Sequence, residues 1–123
     1  MIAGIGTDIV EIYRIENAIK KNDLFIEKVL SEEEKNILPK GKNKCEFVAG
    51  RFAAKEAVSK AIGTGFREFG FNDISILNDD LGKPFVVLNE KVKKLLISYG
   101  EYKIHISISH EKQNAIAFVI IEV

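Results

Sequence analysis

Glu46-Phe47-Val48-Ala49-Gly50-Arg51-Phe52-Ala53-Ala54-Lys55-Glu56-Ala57-Val58-Ser59-Lys60-Ala61-Ile62 is the stretch that decides the fold. Its seventeen residues contain five alanines and no proline, so it reads as a long helix with Gly50 as its one weak position. Gly63 follows where a left-handed residue ends such a helix. Upstream, Ile2 to Ile12 is rich in β-branched residues and carries Gly4 and Gly6, the pattern of a strand whose backbone something else approaches closely. Ile12, Ile15 and Ile19 then recur at helical spacing through Lys21, and Leu24, Phe25, Val29 and Leu30 predict a second short helix. Ser31-Glu32-Glu33-Glu34 has the spacing of a capping box and opens one more turn before Pro39, with residues 40–44 as loop.

Downstream of the helix, Thr64 to Asn72 reads as a loop bearing Gly and Phe. Asp73 to Leu77 and Phe85 to Leu88 are strands on either side of the turn Asn78-Asp79-Asp80-Leu81-Gly82-Lys83-Pro84. Asn89 caps a helix carrying Val92, Leu95 and Leu96 that Gly100 closes. Lys103 to Ser109 alternates Ile104, Ile106 and Ile108 with His105, Ser107 and Ser109, and Ala115 to Val123 returns as the last strand. Helices interspersed with hairpins predict an α+β fold: a mostly antiparallel sheet packed against one long helix and several short ones. No repeat or linker-like tract interrupts the chain, so residues 1–123 read as a single domain.

The 123 residues are 46% hydrophobic and 29% charged, the balance of a soluble globule. Eighteen basic residues offset eighteen acidic ones, so no net charge draws the chain to nucleic acid or to an anionic membrane. Cys45 is the only cysteine, which excludes an internal disulfide and a cysteine-based zinc cluster and fits a reducing compartment. No apolar run approaches the roughly 20 residues of a membrane span, and the first residues lack the layout of a secretion signal. The expected location is cytoplasmic.

Charge is nevertheless uneven along the chain. Lys40, Lys42, Lys44, Arg51, Lys55 and Lys60 face only Glu46 and Glu56 between residues 40 and 62. With the unobstructed backbone of Gly63-Thr64-Gly65 beside them, they suggest a grip for a diphosphate ester, against the ordinary reading of a solvated basic face. Phe52, Glu56 and Lys60 share one helix face, and by itself the Glu56–Lys60 spacing describes an exposed helix pair. Asp8, between Thr7 and Ile9-Val10, either faces solvent, caps a bulge or is held inward. If Asp8 and Glu56 converge, two carboxylates and a phosphate oxygen make the oxygen-rich shell that Mg²⁺ takes. A Ser-His hydrolase is excluded, because adjacent Ser109 and His110 point to opposite faces of a strand and no nucleophile elbow exists.

Four segments together resemble one family: Gly4-Ile5-Gly6-Thr7-Asp8-Ile9-Val10-Glu11, Arg51-Phe52-Ala53-Ala54-Lys55-Glu56-Ala57 with Lys60, Gly63-Thr64-Gly65, and Ser107-Ile108-Ser109-His110. In order, spacing and total length the chain is similar to the holo-(acyl-carrier-protein) synthases, the small bacterial 4'-phosphopantetheinyl transferases. The resemblance implies transfer of the phosphopantetheine arm of coenzyme A to a serine of apo acyl carrier protein, leaving adenosine 3',5'-bisphosphate, a step of fatty acid biosynthesis. It implies Asp8 and Glu56 as magnesium ligands, and Lys60 as the phosphate-contacting lysine. Gly63, Thr64, Gly65, Lys83, Pro84 and Ser109 would line the coenzyme A site, and Arg51 and His110 would contact its nucleotide end. The proton acceptor stays open between Glu56 and a water on the metal.

The resemblance further implies a homotrimer with active sites between subunits, and an acidic carrier protein docked on the first helix through Arg14, Lys20 and Lys21. Members often carry more arginine on that helix, whereas here the lysines lead into Asn22-Asp23. Two other readings use the same residues. One is a magnesium-dependent hydrolase of nucleotide diphosphates; the other is a non-catalytic α+β oligomer in which Glu56–Lys60 is only a helix pair.

Overall fold

A computed structural model describes residues 1–123. Strand β1 (Ile2–Glu11) leads into helix α1 (Ile12–Lys21), followed by the short helices α2 (Phe25–Val29) and α3 (Glu32–Asn36) and the long helix α4 (Asn43–Ile62). Strands β2 (Ile74–Asn78) and β3 (Pro84–Leu88) come next, then α5 (Glu90–Lys93), β4 (Lys103–His110) and β5 (Asn114–Glu122). Single 3₁₀ turns at Gly65–Arg67 and Phe71–Asp73 occupy the segment read as loop, and a third, Lys94–Tyr99, continues α5.

The strands form two antiparallel sheets rather than one. β5 lies between β1 and β4, while β2 and β3 pair only with each other. Helix α4 begins at Asn43, three residues before the predicted start at Glu46, because Lys42 already has helical backbone geometry. It ends at Gly63, whose φ of 95° is the left-handed conformation that glycine adopts without a Cβ penalty.

Helix α4 packs against β1 and β5 on one side and against α1, α2 and β2 elsewhere, so it is apolar over most of its circumference. Val48, Ala49, Ala53, Ala54, Ala57, Val58 and Ala61 are all buried in the core it shares with Ala115, Ala117, Val119 and Ile121 of β5. Small residues on the helix and glycines on β1 bring the two backbones together. A Cβ at Gly4 would lie 2.0 Å from the carbonyl oxygen of Ala61, and one at Gly6 only 1.8 Å from that of Ala57. Ser31 and Glu34 form the capping box that their spacing predicts.

Two of the six basic residues read as a positively charged face are interior. Lys55 is completely buried, its ammonium donating to a Glu34 carboxylate oxygen and to the carbonyl of Val29. The other Glu34 oxygen accepts from the Ile76 N–H of β2. Arg51 is buried as well and donates from Nε to the Ile76 carbonyl at 3.2 Å. The diphosphate grip expected from charge density therefore loses Lys55, whose charge is consumed in joining α4 to α2, α3 and β2.

Candidate functional site

Alternation along β1 places Gly4, Gly6, Asp8 and Val10 on the side facing α4. The two glycines let the helix lie on the strand, and Asp8 is the next inward position, so its carboxylate emerges beside the turn of α4 that carries Glu56 and Lys60. Lys60 Nζ lies 3.3 Å from Asp8 Oδ1 and donates to the Thr7 carbonyl at 3.0 Å. The i,i+4 spacing with Glu56 thus yields no ion pair; the lysine crosses to the strand instead. A lysine with its chain beside both acids settles on the one backed by a carbonyl oxygen, which adds a second acceptor for the ammonium.

The Glu56 carboxylate accepts no hydrogen bond, and it is held above the ordinary value of 4.5 by burial first and by the charge of Asp8 second, with Lys60 pulling the other way. Asp8, Glu56, Lys60 and Arg14 line one cleft of about 390 Å³ whose apolar wall includes Ile15 and Ala18 of α1, Phe25 of α2 and Phe52 of α4. Phe52 stacks on Phe71 at 5.1 Å, and Phe71 on Phe66 at 4.1 Å, so the wall continues into the segment that follows Gly63-Thr64-Gly65.

Two carboxylates facing one cleft and repelling each other are a donor set that a hard divalent cation relieves. No third carboxylate, histidine or cysteine joins them. That count suits Mg²⁺, which is commonly held by one or two carboxylates with water and a substrate phosphate in the remaining positions. It does not suit zinc, which prefers a closed nitrogen and sulfur set.

The remaining expected site residues lie elsewhere on the chain. Arg51 turns to the β2–β3 hairpin: its Nη2 donates to Asn78 Oδ1 at 2.5 Å, and its guanidinium lies 3.9 Å over the Phe47 ring. Asn78 Nδ2 in turn donates to the Gly82 carbonyl at 2.9 Å, tying Arg51 to the turn that bears Lys83 and Pro84. His110 ends β4 with Nδ1 3.9 Å from Glu46 Oε2 near the start of α4. Ser109 pairs in register with Ile116. None of Arg51, Lys83, Pro84, Ser109 and His110 lines the Asp8–Glu56 cleft. One chain therefore carries its expected site residues in two groups: Asp8, Glu56, Lys60 and Arg14 in the cleft, with Gly63-Thr64-Gly65 at the end of the same helix, and Arg51 with the hairpin turn and His110 apart from them.

On α1, Arg14 reaches the cleft, whereas Lys20 is paired with Glu16 at 3.1 Å and Lys21 is exposed in the last turn. Sequence reasoning missed the part played by Phe25, Asn78 and Glu34. Phe25 was legible only as an apolar helix position, and Asn78 only as a turn residue. Glu34 carried a signal, its capping-box spacing, for half of its role.

Residues 4–119 match the model of the 4'-phosphopantetheinyl transferase superfamily. The chain is 52% identical over 123 residues to the holo-[acyl-carrier-protein] synthase of Clostridium acetobutylicum, with 100% of this chain and 99% of that protein covered. Among solved structures it is similar to the holo-(acyl-carrier-protein) synthase of Bacillus anthracis in complex with CoA (3',5'-ADP), at 47% identity and a TM-score of 0.84, covering 99% of this chain and 97% of that one. It is also similar to the holo-[acyl-carrier-protein] synthase of Neisseria meningitidis, at 40% identity and a TM-score of 0.92 with both chains covered completely. With full-length relatives of this kind and a strand acid, a helix acid and a lysine meeting in one cleft, the chain belongs to the 4'-phosphopantetheinyl transferase superfamily.

Proposed function

We propose that this chain is one 4'-phosphopantetheinyl transferase domain, residues 1–123, that moves the 4'-phosphopantetheine group of coenzyme A to a serine of apo acyl carrier protein and releases adenosine 3',5'-bisphosphate. The observation that carries the reading is the meeting of Asp8, Glu56 and Lys60 in one cleft, in a chain aligned from end to end with holo-acyl-carrier-protein synthases. Asp8 and Glu56 would hold Mg²⁺, which supplies charge neutralisation on the diphosphate when bound. Lys60 places an ammonium where negative charge grows on the departing bisphosphate. The proton of the attacking serine passes either to Glu56 or to a water held beside Asp8 and Glu56.

Arg51, Lys83, Pro84, Ser109 and His110 hold the nucleotide end in this reading, with Gly63, Thr64 and Gly65 lining the coenzyme A site beside Lys60. Because the first five sit apart from the cleft, the site is completed by a neighbouring subunit of a homotrimer. Support for that assembly comes from the outer face of the three-stranded sheet, where Ile5, Ile9, Ile116 and Phe118 are exposed together. Arg14, Lys20 and Lys21 on α1 receive the acidic carrier. The enzyme works in the cytoplasm, where the lone free thiol of Cys45 stays reduced.

The test is to incubate the protein with coenzyme A, Mg²⁺ and apo carrier, and to weigh the carrier by mass spectrometry. Addition of one phosphopantetheine, abolished by chelator and by Asp8→Ala in a folded variant, is the expected outcome. Release of the bisphosphate in the absence of carrier would replace this reading by a hydrolase. Light scattering on Phe118→Lys, expected to give a monomer without transfer activity, checks the shared site.

A further inference from the structure

The position beside Asp8 is taken by a cation of the chain itself. Lys60 Nζ sits 3.3 Å from Asp8 Oδ1 and 3.0 Å from the Thr7 carbonyl, a seat made of one carboxylate and one backbone oxygen. The lysine has an acid one helical turn away on its own element, Glu56, and does not pair with it. Its side chain is 53% exposed while that of Asp8 is 17% exposed, so the ammonium caps the carboxylate from the solvent side of the cleft. Nothing else neutralises Asp8, and Glu56 is left facing it without a partner.

We infer that Lys60 acts as a stand-in for the divalent cation and makes metal binding conditional on the diphosphate of the substrate. The inference rests on the proposed metal site and adds an order of events to it. A divalent ion approaching the free protein must displace an ammonium from Asp8 and then sit beside that ammonium, so both the lost ion pair and like-charge repulsion weaken its binding. A diphosphate entering the cleft offers Lys60 a more highly charged partner and offers the metal extra oxygen ligands. Lysine, with a compact charge on a flexible four-carbon stem, can make that exchange without moving the helix. Metal and coenzyme A thereby raise each other's affinity, and by reciprocity part of that coupling belongs to Lys60.

Mn²⁺ binding followed by electron paramagnetic resonance of the free ion tests this without turnover. Without coenzyme A, Lys60→Gln is expected to bind Mn²⁺ about fivefold more tightly than wild type, the scale of losing one exposed ion pair, and Lys60→Arg, which keeps the charge, as weakly as wild type. Lys60→Met should repeat the Lys60→Gln result, and Asp8→Asn in the Lys60→Gln background should remove the gain, assigning it to this cleft. Coenzyme A should tighten Mn²⁺ binding more in wild type than in Lys60→Gln. Wild type that binds Mn²⁺ with coenzyme A, together with folded Lys60→Gln and Lys60→Met variants no tighter than wild type without it, overturns the inference and leaves the metal site standing. No Mn²⁺ binding by wild type even with coenzyme A overturns the metal site and the inference with it.

Discussion

Gly6 of β1 faces the carbonyl oxygen of Ala57 on α4 so closely that a Cβ on it would lie 1.8 Å away. Both neighbours are backbone, so neither can swing aside, and a side chain here must push strand and helix apart. Gly6→Ala is expected to destabilise the protein by about 1–3 kcal/mol, the range for overpacking a core. It should also lower transfer activity more than this loss of stability explains, because the same displacement separates Asp8 from Glu56 and Lys60. Chemical denaturation and carrier modification measured on one preparation check both halves.

The Glu34–Lys55 pair has no solvent exposure on either side chain, so removing one partner leaves a buried charge without its counter-ion. Lys55→Met is expected to cost about 3–5 kcal/mol. Adding Glu34→Gln to that variant should recover part of the loss, since the amide is neutral and its oxygen can still accept from one of the two N–H groups, Ser31 and Ile76, that Glu34 satisfies. Urea unfolding of the single and double variants measures the difference.

Glu56 is harder to ionise in the folded protein than in the unfolded chain, through burial and the charge of Asp8. Its protonated form is therefore favoured by folding, and that contribution is present below the ordinary carboxylate range and lost as pH rises through the raised folded value. At neutral pH the metal-free Glu56→Gln variant is expected to melt at a higher temperature than wild type. The gain should fade as pH falls below 4.5, where the wild-type side chain is protonated in both states. Melting curves between pH 3 and pH 8, on the order of one point per unit and with chelator present, check the sign.

Reversing the charge of α1 separates the two substrates. Arg14→Glu combined with Lys21→Glu is expected to raise KM for the carrier protein at least roughly tenfold, through lost steering and new repulsion of an acidic partner. Affinity for coenzyme A should stay within about twofold in Lys21→Glu alone, since Lys21 is exposed on the helix end, and should fall once Arg14→Glu is added, since Arg14 lines the Asp8–Glu56 cleft. Steady-state kinetics with each substrate varied in turn distinguishes the surfaces.

Much of the fold was legible because it is encoded locally. Alanines at 49, 53, 54, 57 and 61 specify α4, Gly63 its end, and Ser31 with Glu34 the capping box. The outer start of α4 escaped because Asn43-Lys44-Cys45 has no helical apolar pattern, and the division into two sheets because strand patterns do not state their neighbours. At the site, the roles expected of Asp8, Glu56 and Lys60 came from a resemblance, while the pairing of Lys60 with Asp8 instead of Glu56 depends on a strand 52 residues away in the chain. Lys55 is the clearest failure of local reading. In sequence it is one more base in a basic run, and only the fold brings Glu34 and the Val29 carbonyl around it.

The outer margin of β2 closes on side chains instead of on a third strand. Ile76 gives its N–H to Glu34 and its carbonyl to Arg51, so at its midpoint the backbone of this short hairpin has no free valence to offer a passing extended peptide. Sheets with bare margins recruit strangers and grow into aggregates. Here two charged residues of the interior act as a selvedge, finishing the fabric where weaving stops.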